Sequence, residues 1–163
     1  MTHIVAGNVA PEFSLIALDG KEYSLKSAKA RGLVVAAFFK ISCPVCQFTF
    51  PFLERIHERY GGDVTILGIS QDDAAATRKF AEQYGVTFPV LLDEKDYPAS
   101  NAYGLTNVPT IFLIDKDGSV KVSAMGFDKQ DLETISRELA DRGKHAPVAL
   151  FLPTEQVPAH KPG

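Results

Sequence analysis

Seven consecutive apolar residues, running from Leu33 to Phe39 without polar alternation, constrain the fold of this chain more than any other feature. A strand of this composition is buried on both faces, as is typical of the central strands of a mostly parallel sheet that is covered by helices. Two further apolar strands are predicted, one from Val64 to Ile69 and one from Thr110 to Ile114. The sequence therefore predicts an α/β domain.

Apolar residues at helical spacing predict helices between these strands. The first predicted helix runs from the cysteine segment to Tyr60, and the second runs from a cap at Asp72 or Asp73 to about Tyr84. A short third helix runs from Ala99 to Tyr103, and a final helix begins at a cap at Asp128. A hairpin over residues 13–25 comes first. A short extended strand from Val90 to Leu92 lies between the second and third helices, and a strand over residues 119–124 precedes the last helix. This order, β-β-β-α-β-α-β-α-β-β-α, predicts three layers with helices on both sides of a mixed sheet.

Composition excludes several classes of protein. The chain has 163 residues, of which 45% are hydrophobic and 23% charged, so it can bury one core and is not disordered throughout. Its net charge is -3 and its basic residues are scattered, which argues against nucleic acid as a partner. Because no apolar run approaches the roughly 18 residues of a membrane helix, no membrane insertion is predicted.

The last 17 positions differ in composition from the rest of the chain. Four of the ten prolines fall there, which excludes a regular helix. We therefore predict a domain over residues 1–146 and an extended or disordered tail over residues 147–163. The apolar cluster Val148 to Leu152 is expected to pack on the domain's own surface, with a partner as the alternative.

Both cysteines of the chain lie in one segment, Cys43-Pro44-Val45-Cys46, between the most buried strand and the next helix. Unpaired N–H groups and the positive dipole end at a helix N-terminus stabilise a thiolate, so Cys43 is predicted to be the nucleophile. Cys46 lies one turn further on, where it can attack a mixed disulfide at Cys43 and close a redox-active disulfide. Pro44 suits the first helical position because it lacks an N–H.

Two other interpretations of the cysteine pair remain open at this stage. The pair could be two ordinary buried thiols, or it could be half of a zinc site. A zinc site needs four ligands, and the chain has no second cysteine pair; its histidines lie further down the same helix or near the termini, at positions 57, 3, 145 and 160. No bound metal or other cofactor is expected.

Further motifs are spread over most of the chain. They are Pro11-Glu12-Phe13, Leu18-Asp19-Gly20, the cysteine segment followed by Pro51, Gly68-Ile69-Ser70, Val108-Pro109-Thr110, Asp115-Lys116-Asp117-Gly118 and Gly126. Together these motifs resemble the thioredoxin superfamily, and within it the TlpA/ResA-like and AhpC/TSA-type thiol-disulfide oxidoreductases.

The resemblance implies a thioredoxin-like fold, with an N-terminal hairpin and a central mixed sheet, and a thiol-disulfide oxidoreductase activity. It implies that Val108-Pro109 is a cis peptide facing the cysteines and that the Val108 backbone pairs with an extended substrate, beside Pro44 and Val45. The implied partners are protein or peptide disulfides and dithiols, together with an electron-donor thiol system.

The chain departs from the family pattern at acidic positions. Thioredoxins carry a buried acid where this chain has Ala37, and ResA-like reductases carry a glutamate where it has Thr49. Without a carboxylate to take the proton of the buried thiol, attack by Cys46 is expected to be slower or to rely on water. Lys40 could stabilise the Cys43 thiolate, although a lysine at a strand end is more often a solvated charge.

Two alternative functions are a peroxiredoxin-like thiol peroxidase and a non-catalytic redox-sensing or binding module. The peroxidase pattern needs a proline seven residues and a threonine or serine three residues before the reactive cysteine. For Cys43 those positions hold Ala36 and Lys40, which argues against a peroxidase.

The start of the sequence shows neither a basic leader nor an apolar h-region, so a cytoplasmic location is predicted. ResA-like proteins are often exported or tethered to a membrane, which leaves an extracytoplasmic location as the alternative.

Overall fold

The computed structural model describes residues 3–62 and 64–163 of the chain. Its elements are, in chain order, β1 (Ser14–Ile16), β2 (Glu22–Ser24), α1 (Leu25–Arg31), β3 (Leu33–Phe39), α2 (Pro44–Tyr60), β4 (Val64–Ser70), α3 (Ala74–Gln83), β5 (Val90–Leu92), α4 (Pro98–Ala102), β6 (Thr110–Ile114), β7 (Val120–Met125), β8 (Phe127–Asp128), α5 (Lys129–Arg142) and β9 (His160–Lys161).

A five-stranded mixed sheet with the strand order β5-β4-β3-β6-β7 forms the centre of the molecule. Strand β3 runs parallel to β4 and antiparallel to β6, and every one of its residues is buried. The antiparallel hairpin of β1 and β2 forms a separate small sheet. The predicted α/β fold with a mixed central sheet is confirmed.

Alternate residues of β3 enter two separate hydrophobic cores, one on each face of the sheet. Val35, Ala37 and Phe39 pack in the core that contains the apolar faces of α2 and α5. Val34, Ala36 and Phe38 pack in the opposite core, with residues of α1 and α4. Because side chains alternate along a strand, a fully apolar strand supplies both cores at once, and this produces the three layers.

Helix α1 is the main element that the sequence analysis missed, since Leu25 was assigned to the hairpin. The Ser24 side chain caps this helix by accepting a hydrogen bond from the Ser27 N–H at 3.1 Å. The helix has only seven residues, too few for a clear apolar period.

The N-cap of α3 is Asp73, one of the two predicted caps, because its side chain accepts the Ala76 N–H at 2.8 Å.

The segment over residues 147–163, which we call the tail, packs against the domain. Leu150 and Phe151 are buried, and β9 pairs antiparallel with β8. Two residues of the apolar cluster thus pack on the chain's own surface, while Val148 and Leu152 are exposed, and the division of the chain at residue 146 stays a prediction. Among the described residues, no helix has the length and apolar character needed to cross a membrane.

Candidate functional site

The register of the central sheet brings three loops to one edge. Phe39, the last residue of β3, lies beside Ser70, the last residue of β4. Phe38 lies opposite Thr110, the first residue of the antiparallel β6. The loop that follows β3, the loop that follows β4 and the loop that precedes β6 therefore meet at this edge, where α/β sheets commonly place their sites.

The first turn of α2 holds both cysteines, which are free thiols in this structure. Cys43 is the N-cap residue, and its Sγ accepts a hydrogen bond from the Cys46 N–H at 3.2 Å. Pro44 begins the helix, as predicted, and is exposed. A negative charge on Cys43 Sγ would thus face the N–H groups and the positive end of the α2 dipole.

The two thiols differ in their surroundings. Cys43 is half-buried, whereas Cys46 is 0% exposed. Burial is the main cause that raises the pKa of the Cys46 thiol well above its ordinary value, and the hydrogen bond with Cys43 and the charges of Cys43 and Asp72 raise this pKa further. Cys46 is therefore a protonated, sheltered thiol at neutral pH, next to a more accessible one.

The Val108–Pro109 peptide bond is cis, as the resemblance implied, and lies beside the cysteines. The Cys43 thiol donates to the Val108 carbonyl oxygen at 3.5 Å. Two hydrogen bonds hold this loop in place: the Thr110 hydroxyl donates to Asn107 O at 2.8 Å, and the Gly126 N–H donates to Pro109 O at 2.8 Å. The residues predicted to line a substrate groove thus lie next to Cys43.

The remaining predicted site residues lie nearby. Val45 is half-buried and packs against the core, so only part of its side chain is accessible. Lys40 is exposed, and its backbone carbonyl accepts the Cys43 N–H at 3.3 Å. An electrostatic role for the Lys40 ammonium stays a prediction.

Asp72 is a site residue that the sequence analysis treated only as a possible helix cap. Its Oδ2 accepts the Ile41 N–H at 2.8 Å and so holds the loop that leads into α2. Its negative charge also acts on Cys46. The family pattern places an acid at the positions of Ala37 and Thr49, whereas Asp72 follows β4 and reaches the site through the sheet register.

Thr49 does not replace the missing glutamate as an acid. Its hydroxyl donates to the Val45 carbonyl oxygen at 2.6 Å, within the same helix. In the part of the chain that the structure describes, no group of three or more His, Cys, Asp or Glu side chains could hold a metal ion.

Comparisons with known proteins agree with this geometry. The family model described as the AhpC/TSA family matches residues 6–123. The thiol-disulfide oxidoreductase ResA of Geobacillus thermodenitrificans is 33% identical over 136 residues, covering 81% of this chain and 76% of the relative. The thioredoxin domain of a thiol-disulfide oxidoreductase from Bacteroides vulgatus superposes with a TM-score of 0.73 at 25% identity, covering 83% of this chain and 99% of that one.

The chain belongs to the AhpC/TSA family and has the thioredoxin fold. Within that family it is a ResA-like thiol-disulfide oxidoreductase, as the sequence resemblance implied.

The predicted cytoplasmic location is wrong. It relied on the absence of a recognisable leader, whereas the sequence relatives are ResA proteins, a group often exported or tethered to a membrane. A structural neighbour from Mycobacterium tuberculosis, with a TM-score of 0.67 at 22% identity over 79% of this chain and 95% of its own, is described as a secreted disulfide oxidoreductase.

Proposed function

We propose that Cys43 is the attacking thiol of this oxidoreductase, that Cys46 is the resolving thiol, and that the disulfide between them is the only redox group. One observation carries this assignment. The Cys43 Sγ lies at the N-terminus of α2, accepts the Cys46 N–H, and faces the Val108 carbonyl oxygen at 3.5 Å. A more accessible thiol at a helix N-terminus is the better nucleophile.

The reaction has two steps. In the first, the Cys43 thiolate attacks one sulfur of a substrate disulfide, forms a mixed disulfide, and expels the other substrate sulfur as a thiolate that takes up a proton. In the second, Cys46 loses its proton, attacks Cys43 Sγ and releases the remaining substrate sulfur. The substrate gains two electrons and two protons, and the protein ends with a Cys43–Cys46 disulfide that a donor dithiol reduces again.

The second step is the slow one in this proposal. Cys46 is fully buried and its pKa is raised, so little thiolate is present at neutral pH. The resolving rate should therefore rise with pH. We therefore expect the protein to turn over slowly as a general protein reductase. An insulin-reduction rate equal to that of an ordinary thioredoxin would contradict this expectation.

Polypeptide disulfides fit the site as substrates. The backbone of Val108 stands beside Cys43, half-buried, and can pair with an extended chain. Pro109, Pro44 and Val45 flank this position and shape the groove. Lys40, exposed at the end of β3, places a positive charge on the approach to Cys43.

Single-turnover trapping tests the roles of the two cysteines. The reduced variants Cys46→Ala and Cys43→Ala are each mixed with a peptide that carries one disulfide, and the products are separated without reductant. Cys46→Ala should accumulate a mixed disulfide through Cys43, and Cys43→Ala should accumulate none. The assignment would be reversed if Cys43→Ala formed a stable mixed disulfide through Cys46 as fast as Cys46→Ala forms one through Cys43.

The same proteins distinguish the alternative functions. Wild type is incubated with hydrogen peroxide and, separately, with the disulfide peptide. Exchange with the peptide should be faster than reaction with peroxide. Faster turnover of peroxide would indicate a thiol peroxidase, and reversible oxidation without turnover would indicate a sensor.

A further inference from the structure

After the buried residues Leu150 and Phe151, the tail returns to the redox site. The Gly126 N–H donates to the Pro109 carbonyl oxygen. Strand β8, which begins at the next residue, therefore starts beside the cis-proline loop. Strand β9 pairs with β8, with Lys161 opposite Phe127 and His160 opposite Asp128. The tail backbone therefore runs alongside the loop that carries Val108.

We call the last three residues of the tail, Lys161, Pro162 and Gly163, the tip; Lys161 lies against α2, and Gly163 lies against Val108 of the proposed substrate groove. Lys161 Nζ lies 4.9 Å from the centre of the Phe48 ring of α2, a cation–π contact. A Cβ built on Gly163 would overlap the Val108 carbonyl oxygen, and a Cβ built on Gly126 would overlap the Lys161 carbonyl oxygen. The tip backbone thus approaches the same Val108 carbonyl that faces Cys43 Sγ.

The tail has a firm anchor before the tip. The Arg55 guanidinium binds both carboxylate oxygens of Glu155, at 2.7 and 2.6 Å. The Phe151 ring packs on Phe52 and Phe127, with ring centres 4.8 and 5.9 Å apart. This anchor keeps the tip at a high effective concentration near the groove.

The tip itself is held more weakly than the anchor. Pro162 and Gly163 are exposed, and Lys161 is half-buried. Pro162 also keeps the segment extended, since its ring fixes φ and removes an N–H. Such a segment can leave the groove by local opening, while the anchor and the core stay in place.

We propose that the tip occupies the groove through which substrate polypeptides reach Cys43, so that a substrate chain must displace it. This inference rests on the proposed function and adds regulation of the same site by the chain's own tail. An extended substrate and the tip would both run beside Val108. The apparent affinity for the substrate is then reduced by the fraction of molecules in which the groove is open.

A shortened chain that ends at Ala159 tests this competition. It lacks the tip and His160 but retains Leu150, Phe151 and Glu155. If the groove is open in one tenth of the molecules, exchange with a disulfide peptide at subsaturating concentration should become about tenfold faster. Exchange with oxidised glutathione, which needs little of the groove, should change less than about twofold. The matched control is Val148→Ala, an exposed tail residue outside the groove.

Two further measurements keep the test decisive if the shortened chain folds poorly. Lys161→Ala in the full chain removes the contact with the Phe48 ring and should also accelerate peptide exchange, by a smaller factor. A synthetic peptide of residues 155–163 should inhibit the shortened chain competitively against the disulfide peptide.

The outcomes separate the two proposals. Equal peptide exchange in the full, shortened and Lys161→Ala chains would overturn the role of the tip, while exchange that still depends on Cys43 would leave the proposed function intact. No exchange in any of them would overturn the proposed function, and the role of the tip with it.

Discussion

The first turn of α2 and the tip of the tail both lie against Val108, but they are held there in different ways. The α2 turn stands on β3, whose seven residues are all buried, and its Cys46 is fully enclosed. In the tail, only Leu150 and Phe151 are buried. The reacting sulfur atoms therefore lie on a strand and helix that are buried in the core, whereas the tail is attached to the domain at a few points.

The largest expected difference between the two regions is in stability. Phe50 of α2 is 0% exposed and packs 4.3 Å from the Phe39 ring, so Phe50→Ala should lower the free energy of unfolding by about 3–5 kcal/mol. Phe151→Ala should cost only about 1–2 kcal/mol, because the tail can detach without unfolding the domain. Urea denaturation followed by circular dichroism measures both. Equal losses would show that the tail is an integral part of the core.

A second expected effect is a weaker attachment of the tail in acid. Hydrogen bonds from Arg55 lower the pKa of Glu155 from 4.5 to about 2. Because the docked pKa lies below the undocked one, the contribution of this pair is fully present above pH 4.5 and is lost as the pH falls towards 2. The Leu152 N–H donates to Glu155 Oε1 at 2.8 Å, so its hydrogen-exchange protection should fall severalfold across this range.

The control for this effect is Glu155→Gln, which cannot titrate. Its Leu152 protection, corrected for the intrinsic exchange rate, should be nearly constant from pH 4.5 to 2. A parallel fall in both proteins would mean that another group controls tail docking.

The smallest expected effect concerns Asp72. Asp72→Asn keeps an acceptor for the Ile41 N–H but removes a negative charge that raises the pKa of Cys46. The resolving step, measured as the decay of the mixed disulfide at pH 8, should become faster by less than about threefold. Asp73→Asn, which changes the exposed cap of α3, serves as the control. A tenfold slower decay in Asp72→Asn would indicate that this carboxylate accepts the Cys46 proton.

Sequence alone predicted the central sheet and the cysteine pair because both depend on local patterns. The uninterrupted apolar run from Leu33 to Phe39 reflects burial on two faces, and the spacing of the cysteines places them on one helical turn. Asp72 could not be assigned in this way, since its approach to Ile41 depends on the register between β3 and β4.

The course of the tail could not be predicted either. Its apolar cluster indicated docking, but nothing in the sequence specifies that Glu155 pairs with Arg55, 100 residues earlier in the chain. The pairing of β9 with β8 involves two residues on each side, too few for an alternating pattern. Contacts of this kind become visible only when the fold brings distant segments together.

Alkylation of the reduced protein tests the central assignment most directly. Native protein is treated with a limiting amount of iodoacetamide at pH 8, and the modified cysteine is located by mass spectrometry. The half-buried Cys43 at the start of α2 should carry the adduct, while the enclosed Cys46 with its raised pKa stays unmodified. An adduct found first on Cys46, or divided equally between the two cysteines, would contradict the account.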